Sequence, residues 1–110
     1  MTELWHIAEG AEWAAAREAG AYDRSTRGLS LAEVGFVHCS YPDQAAGVAA
    51  AFYADADDLV LLRIDPARLP ADIRVEGGFP HVYGPIPVAA VTGIEPLTRD
   101  ATGLLVLPEV

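Results

Sequence analysis

The spacing of apolar residues along the chain predicts short strands that alternate with two substantial helices. A first strand is predicted at Leu4–Ala8, and a nearly continuous apolar run at Leu59–Ile64 predicts a central strand buried on both faces. Between and around these strands, apolar residues recur at helical spacing over Glu9–Gly20 and Pro42–Tyr53. The alternation favours an α+β domain with a small, partly antiparallel sheet and two main helices.

The remaining segments are shorter and carry more turn residues. Residues 79–87 hold three prolines, which exclude a helix and disfavour a central strand, so an extended segment or a sheet edge is predicted there. The other predictions are a polar loop over 21–30, one capped helical turn over 30–34, a turn over 65–70, a strand over 73–76, a late strand over 88–97 bulged at Gly93, and a last strand over 103–107.

The segment GFVHCS, residues 35–40, joins a predicted strand to the strongest predicted helix. Its last residue, Ser40, is predicted to be the N-cap of that helix, with Pro42 and Asp43 in the first turn. Free backbone N–H groups and the positive end of the helix dipole favour an anionic ligand at such a junction. We therefore expect a ligand site near His38 and Ser40.

Composition limits the classes of partner. The 110 residues are 52% hydrophobic, which is enough for one domain spanning residues 1–110. Sixteen acidic against seven basic residues give a formal charge of −9, which disfavours binding to nucleic acid. No apolar run is long enough for a membrane helix, so no membrane partner is expected.

The compartment follows from two further features. The first ten residues lack the basic and apolar regions of a signal peptide. The single cysteine, Cys39, excludes an internal disulfide and fits a reducing environment. The expected localisation is cytoplasmic.

Three histidines, His6, His38 and His81, lie in apolar segments, where each is either a hydrogen-bonded core residue or part of a site. A zinc site is disfavoured because no CxxC, HxxxH or HxH pair occurs, and no metal is expected. Cys39 precedes a predicted helix N-terminus and is a candidate nucleophile, although a strand cysteine more often packs as a small apolar residue.

Several motifs together resemble the small bacterial family known as domain of unknown function 952, over roughly residues 4–97. They are W-x8-Y, GFVHCS followed by Gln44, the FY pair that closes the second helix, LVLLRID, a glutamate at position 76, and FPHVYGPI. This resemblance implies the split, mostly antiparallel sheet of ADP-ribosyltransferases, enzymes that cleave the nicotinamide–ribose bond of NAD. NAD is then a possible substrate, and no cofactor is expected.

The resemblance also marks candidate site residues. The catalytic candidates are His38, Glu76, His81 and Tyr83, and the ligand-binding candidates are His6, Ser40, Gln44 and Arg74. Similar chains carry a longer loop, often with an arginine, where this chain has only Gly77 and Gly78, so Arg74 or Arg24 would have to take that role. Without the resemblance, Glu76 is equally well explained as a solvated strand end.

Three functions remain open at this stage. The first is an NAD-utilising enzyme, either an ADP-ribosyltransferase-like transferase or an NAD glycohydrolase. The second is a non-catalytic pocket for a small anionic metabolite or nucleotide, and the third is a protein-interaction module. For the first two we expect His38, Ser40, His81 and Tyr83 to converge on one pocket, with a small-molecule ligand as the partner.

Overall fold

The computed structural model of the protein describes residues 2–109. Within them are three α-helices, α1 (Gly10–Ala19), α2 (Leu31–Val34) and α3 (Ala45–Phe52). The same residues form twelve strands: β1 (Leu4–Glu9), β2 (Ala21–Tyr22), β3 (Arg24–Thr26), β4 (Leu29–Ser30), β5 (Val37–His38), β6 (Leu59–Ile64), β7 (Ile73–Glu76), β8 (Phe79–Val82), β9 (Ile86–Pro87), β10 (Val91–Pro96), β11 (Thr98–Arg99) and β12 (Leu105–Val106).

Two antiparallel sheets of three strands each form the framework. The first has the order β1-β6-β10, and the second has the order β5-β8-β7. The central strand predicted at Leu59–Ile64 is confirmed as β6, and the register of β10 shifts between Val91 and Gly93, where a bulge was predicted. With α1 and α3 as the two main helices, the α+β class with a split antiparallel sheet is confirmed.

The first sheet lies between two apolar clusters because its side chains alternate between its faces. Leu4 and Ala8 of β1 belong to the cluster that contains Trp13 of α1 and Val82 of the second sheet. Residues of β1 with the opposite orientation belong to the cluster beneath α3. No helix among residues 2–109 is long and apolar enough to cross a membrane.

The segment 79–82 is the central strand of the second sheet, so the prediction of a sheet edge is wrong. Pro80 is tolerated because it lies one residue beyond the last β5–β8 pair, His38 with His81. Its carbonyl still accepts a hydrogen bond from the Cys39 N–H at 3.1 Å. Because β5 has already ended at this position, the absence of a proline N–H costs no hydrogen bond between β5 and β8.

The polar loop predicted over residues 21–30 is also wrong in part, because this segment contains β2, β3 and β4. β2 pairs with β9, and β3 forms a hairpin with β4. Tyr22 and Ser25 are both fully buried in these strands. The capped turn that follows is confirmed: the Ser30 hydroxyl accepts a hydrogen bond from the Glu33 N–H at 3.2 Å.

Ser40 does not cap the helix that follows it. Its backbone instead forms an antiparallel bridge with Trp5 of β1, with N–H to carbonyl distances of 2.7 and 2.8 Å in the two directions. Residues 42–44 form a 3₁₀ turn before α3, and Gln44 Oε1 accepts a hydrogen bond from the Tyr41 N–H at 2.9 Å. The Ser40 backbone is therefore committed to joining the two sheets, and the helix begins later than predicted.

A buried histidine reinforces this junction. His6 Nδ1 lies 2.7 Å from the His38 carbonyl oxygen, and His6 Nε2 lies 2.9 Å from the Tyr22 hydroxyl. The carbonyl can only accept, so Nδ1 carries the proton and Nε2 accepts from Tyr22. Burial lowers the pKa of His6 to about 4. The imidazole that connects β1, β2 and β5 is therefore neutral at physiological pH.

Stability should fall as the pH is lowered through the range of His6. Between its ordinary pKa of 6.5 and the folded value of about 4, the unfolded chain binds a proton that the folded chain does not. The free energy of unfolding therefore includes a His6 contribution of roughly 3 kcal/mol that is fully present above about pH 6.5. This contribution is lost as the pH falls towards about 4. Urea unfolding at several pH values measures it, and in His6→Gln the slope should be smaller.

A direct titration of the imidazole provides the second measurement. Nitrogen NMR of the folded protein should show His6 as the Nδ1–H tautomer and unprotonated down to about pH 4. A His6 resonance that titrates near 6.5 would contradict the assigned network.

Candidate functional site

One face of the second sheet carries most of the predicted catalytic residues. His81 of β8 stands opposite His38 of β5 on one side and Arg74 of β7 on the other, and Glu76 stands opposite Phe79. Directly paired residues in an antiparallel sheet project to the same face. We call this face, with its seven side chains, the histidine face: Phe36, His38, Arg74, Glu76, Phe79, His81 and Tyr83.

Aromatic contacts fix the two histidine rings of this face. The Phe36 ring stacks on His81, with centroids 4.0 Å apart and planes 12° from parallel. The centroids of His38 and His81 are 5.0 Å apart, and the Phe79 centroid lies 5.3 Å from that of His38. Burial first, and the neighbouring His81 second, lower the pKa of His38. His38 is therefore a neutral imidazole at pH 7.

Glu76 is the acidic residue of the histidine face. One carboxylate oxygen accepts a hydrogen bond from the Tyr83 hydroxyl and lies 2.9 Å from His81 Nδ1. The Tyr83 bond first, and the His81 bond second, lower the pKa of Glu76. The Arg74 guanidinium lies 4.5 Å from the centre of the Tyr83 ring, a cation–π contact. Because the Glu76 side chain is 47% exposed, a ligand can approach its second oxygen.

A cavity of about 480 Å³ opens beside this face. Its walls come from β1, the β3–β4 hairpin, α2, α3, and β5 with the residues beside it. The wall residues are His6, Ile7, Ser25, Thr26, Arg27, Leu29, Val34, Phe36, His38, Ser40, Val48, Phe52 and Tyr53. The surface that these walls expose is mostly apolar, although about half of the side chains carry a polar group, a combination found in small-molecule sites. None of the wall residues is an aspartate or glutamate.

Ser25 is a polar wall residue that sequence reasoning missed. It is fully buried, and its hydroxyl has no hydrogen-bond partner among the described residues. Thr26 and Arg27, its neighbours in the sequence, also line the cavity, and Arg27 is held at the surface by an ion pair with Asp55 at 2.5 Å. The segment was interpreted as a polar loop, and no motif in it points to a site.

The predicted site residues thus form two adjoining groups and not the single pocket expected for His38, Ser40, His81 and Tyr83. His6, His38 and Ser40 line the cavity, whereas His81 and Tyr83 lie beside it on the histidine face. His38 belongs to both groups. His6 has both ring nitrogens engaged within the protein, so it positions the His38 backbone rather than offering a free group to a ligand.

Gln44 lies outside both groups and has a structural contact. Its Nε2 donates a hydrogen bond to the Gly78 carbonyl at 2.8 Å, while its Oε1 accepts from the Tyr41 N–H. It therefore connects the start of α3 to the turn between β7 and β8. This contact holds the turn that directly follows Glu76.

Cys39 is unsuited to be a nucleophile. It is fully buried next to the histidine face, and burial raises the pKa of its thiol to about 12. Because the thiolate is the reactive form, the alternative of a catalytic cysteine is disfavoured. Among residues 2–109, no group of three or more His, Cys, Asp or Glu side chains is placed to hold a metal ion.

The hydrogen bond from Tyr83 should control the ionisation of Glu76. In Tyr83→Phe the carboxylate loses the stronger of its two hydrogen bonds, so the pKa of Glu76 should rise towards its ordinary value. A side-chain carboxyl carbon titration by NMR measures this change. Tyr41→Phe, which removes a hydroxyl outside the histidine face, is the matched control and should leave the Glu76 titration where it is. An unchanged Glu76 titration in Tyr83→Phe would contradict the assigned bond.

Solved structures of one protein resemble this chain along nearly its whole length. The crystal structure of protein CC0527 from Caulobacter crescentus is 35% identical, with a TM-score of 0.83, and the match covers 94% of this chain and 93% of that chain. A crystal structure of a double mutant of CC0527 gives 34% and 0.82 with the same coverage. Its solution NMR structure gives 33% and 0.74, covering 94% and 91%.

The family comparison agrees with the structural one. No curated protein matches the chain. The family model described as protein of unknown function (DUF952) matches residues 7–94, which include the strand of His38 and the whole histidine face. The chain therefore belongs to the DUF952 family.

Proposed function

We propose that the cavity binds NAD or a closely related nucleotide and that the histidine face promotes cleavage of its nicotinamide–ribose bond. The observation that carries this proposal is the position of His38, which lines the cavity and also contacts the ring of His81 next to the ionised Glu76. A ligand in the cavity can thus extend a polar end onto a negatively charged group. The motifs shared with a family expected to have the ADP-ribosyltransferase fold support the same choice.

The chemistry needs little from the protein. The bond between the anomeric carbon and the nicotinamide nitrogen breaks, and its electron pair leaves with nicotinamide. Positive charge develops on the ribose, as in the oxocarbenium-like states of glycoside cleavage. A carboxylate close to that carbon stabilises the transition state more than the ground state, which is what accelerates a reaction. Water, or the hydroxyl, thiol or amine of an acceptor, then adds to the carbon and loses a proton.

The site residues divide the remaining tasks. The neutral His38 imidazole can hold ribose hydroxyls, and Ser40 lines the same cavity. Tyr83 can stack on the nicotinamide ring, since its own ring is fixed by Glu76 and by Arg74. Arg74 forms no ion pair among residues 2–109, so its guanidinium is available for a phosphate.

A second candidate is non-catalytic binding of a small anionic metabolite or nucleotide in the cavity. The observation that favours it is the absence of carboxylates from the cavity walls of a chain whose formal charge is −9. Glu76, His81 and Tyr83 are also already satisfied by one another, which a purely structural cluster would show too. The two candidates differ in what Glu76 contributes.

Replacing Glu76 separates catalysis from binding. Glu76→Gln keeps the shape of the side chain and loses its charge, so nicotinamide release from NAD should fall by roughly 100-fold or more, while NAD affinity changes little. Release is measured by chromatography and affinity by calorimetry. Glu18→Gln, an exposed change on α1 with the same loss of charge, is the matched control and should behave like wild type.

The opposite result identifies the second candidate. If wild type releases no nicotinamide and Glu76→Gln binds nucleotides more tightly, the site is a binding pocket without this activity, because removing a negative charge favours an anionic ligand. If neither NAD nor ADP-ribose binds at millimolar concentration, the nucleotide ligand itself is wrong.

Ser25 provides an independent test of the cavity. Its hydroxyl has no partner among the described residues and is shielded from solvent. We expect ligand binding to rotate this side chain into the cavity, where the ligand supplies the missing partner. Ser25→Ala should weaken NAD binding by about five- to tenfold, since a hydrogen bond contributes about 1 kcal/mol. The same change should leave the free energy of unfolding unchanged or raise it, because an unsatisfied buried hydroxyl is removed.

The control for this test is Ser30→Ala. Ser30 caps α2 and does not line the cavity, so its replacement should lower stability by about 1 kcal/mol and leave NAD affinity unchanged. Equal effects of the two variants on affinity would mean that Ser25 acts only through folding.

A further inference from the structure

The strand β7 is an open sheet edge with unusual exposure. Among the strands of residues 2–109 it pairs with β8 alone, and all four of its residues are exposed. Two of them are large and apolar: Ile73 is 37% and Val75 is 59% exposed. Edge strands are normally protected by shortness, charged side chains, proline or a bulge. β7 is short and carries Arg74 and Glu76, but it contains no proline or bulge and leaves two large apolar side chains exposed.

The hydrogen-bond pattern of the β7–β8 hairpin determines which backbone groups are free. The Tyr83 N–H donates to the Asp72 carbonyl at 2.8 Å, so this pair points its backbone groups inward. By the alternation of an antiparallel ladder, Arg74 and Glu76 do the same. The N–H and C=O groups of Ile73 and Val75 therefore point away from β8. The open edge offers donors and acceptors at these two residues.

The charges of this edge are complementary to those of a second, antiparallel copy of the same edge. Arg74 and Glu76 have opposite signs and lie two residues apart on the histidine face. In an antiparallel pair of two such strands with a two-fold axis at Val75, each arginine stands opposite a glutamate. The two Val75 residues form a hydrogen-bonded pair, and their side chains meet on the other face. Other registers of the same pairing place like charges together or leave the charges unpaired.

We propose that β7 pairs antiparallel with β7 of a second copy of this chain, about a two-fold axis at Val75. The two second sheets then form one continuous sheet across the axis, and the exposed apolar side chains of both edges are covered. Glu76 of each copy gains Arg74 of the partner subunit as its cross-strand neighbour. This inference stands on the edge strand and does not depend on the proposed enzyme activity.

The association should be weak. Pairing of one four-residue strand buries far less than the roughly 1,200 Å² of a stable interface. Each copy also carries a formal charge of −9, so long-range repulsion opposes the approach, although added salt screens it. We therefore expect a dimer that forms at high protein concentration rather than a permanent one.

Sedimentation velocity of the whole protein tests the pairing. Between about 10 µM and 1 mM, in moderate salt, the apparent mass should rise from 11.6 kDa towards twice that value. Val75→Pro removes an outward-pointing N–H together with the valine side chain and should abolish the rise. Val75→Thr keeps the N–H and the β-branched shape and should preserve it. A mass that stays at 11.6 kDa, or dimerisation of Val75→Pro equal to wild type, overturns the proposal.

Charge exchange tests the register. Arg74→Glu and Glu76→Arg each place like charges opposite one another across the axis, so each variant alone should dimerise roughly tenfold more weakly or worse. An equimolar mixture of the two restores both opposite-charge pairs and should dimerise like wild type. Circular dichroism verifies that each variant is folded. Dimers that form without rescue in the mixture would place the interface elsewhere and overturn the proposal.

Discussion

The structure depends on a buried, neutral histidine. His6 holds the His38 carbonyl through one ring nitrogen and the Tyr22 hydroxyl through the other, and the adjacent backbone of Trp5 bridges to Ser40. These contacts are the polar connection between the first sheet and the strand that leads into α3. A buried imidazole is tolerated only when both nitrogens are satisfied, so His6, Tyr22 and His38 have to be in register together.

That junction explains why the candidate site lies where it does. His6 of the first sheet holds the His38 backbone by a hydrogen bond to its carbonyl. Phe79 and His81 of the neighbouring strand β8 pack beside the His38 ring. The ring is thereby held between the cavity and the histidine face. A surface built in this way is already ordered in the free protein, so little conformational entropy would be lost if a ligand bound there. In this cavity wall, the Ser25 hydroxyl is a buried polar group without a hydrogen-bond partner among the described residues.

Much of the framework could be predicted from apolar periodicity, and the errors have physical causes. β6 and α3 were predictable because long patterned runs leave little ambiguity. β2, β3 and β4 were not, since strands of two or three residues are stabilised by their partners rather than by their own sequence. The Ser40 cap failed because a backbone bridge to Trp5 overrode the local preference. The sequence motifs marked His38, His81 and Glu76 as candidate site residues. Nothing in the sequence marks Ser25, whose interest comes only from its burial in the structure.

The short turn between β7 and β8 sets the character of the site. Gly77 and Gly78 both have positive φ, 61° and 85°, as a two-residue hairpin turn of this kind requires. Such a turn holds Glu76 opposite Phe79 and within reach of His81 and Tyr83. A longer loop would leave the carboxylate freer to rotate away and could carry a cation of its own. With only two glycines present, the turn supplies no positive charge near Glu76. Arg74 is the residue of β7 that supplies it, in the same chain over the Tyr83 ring and, in a paired dimer, across the strand edge.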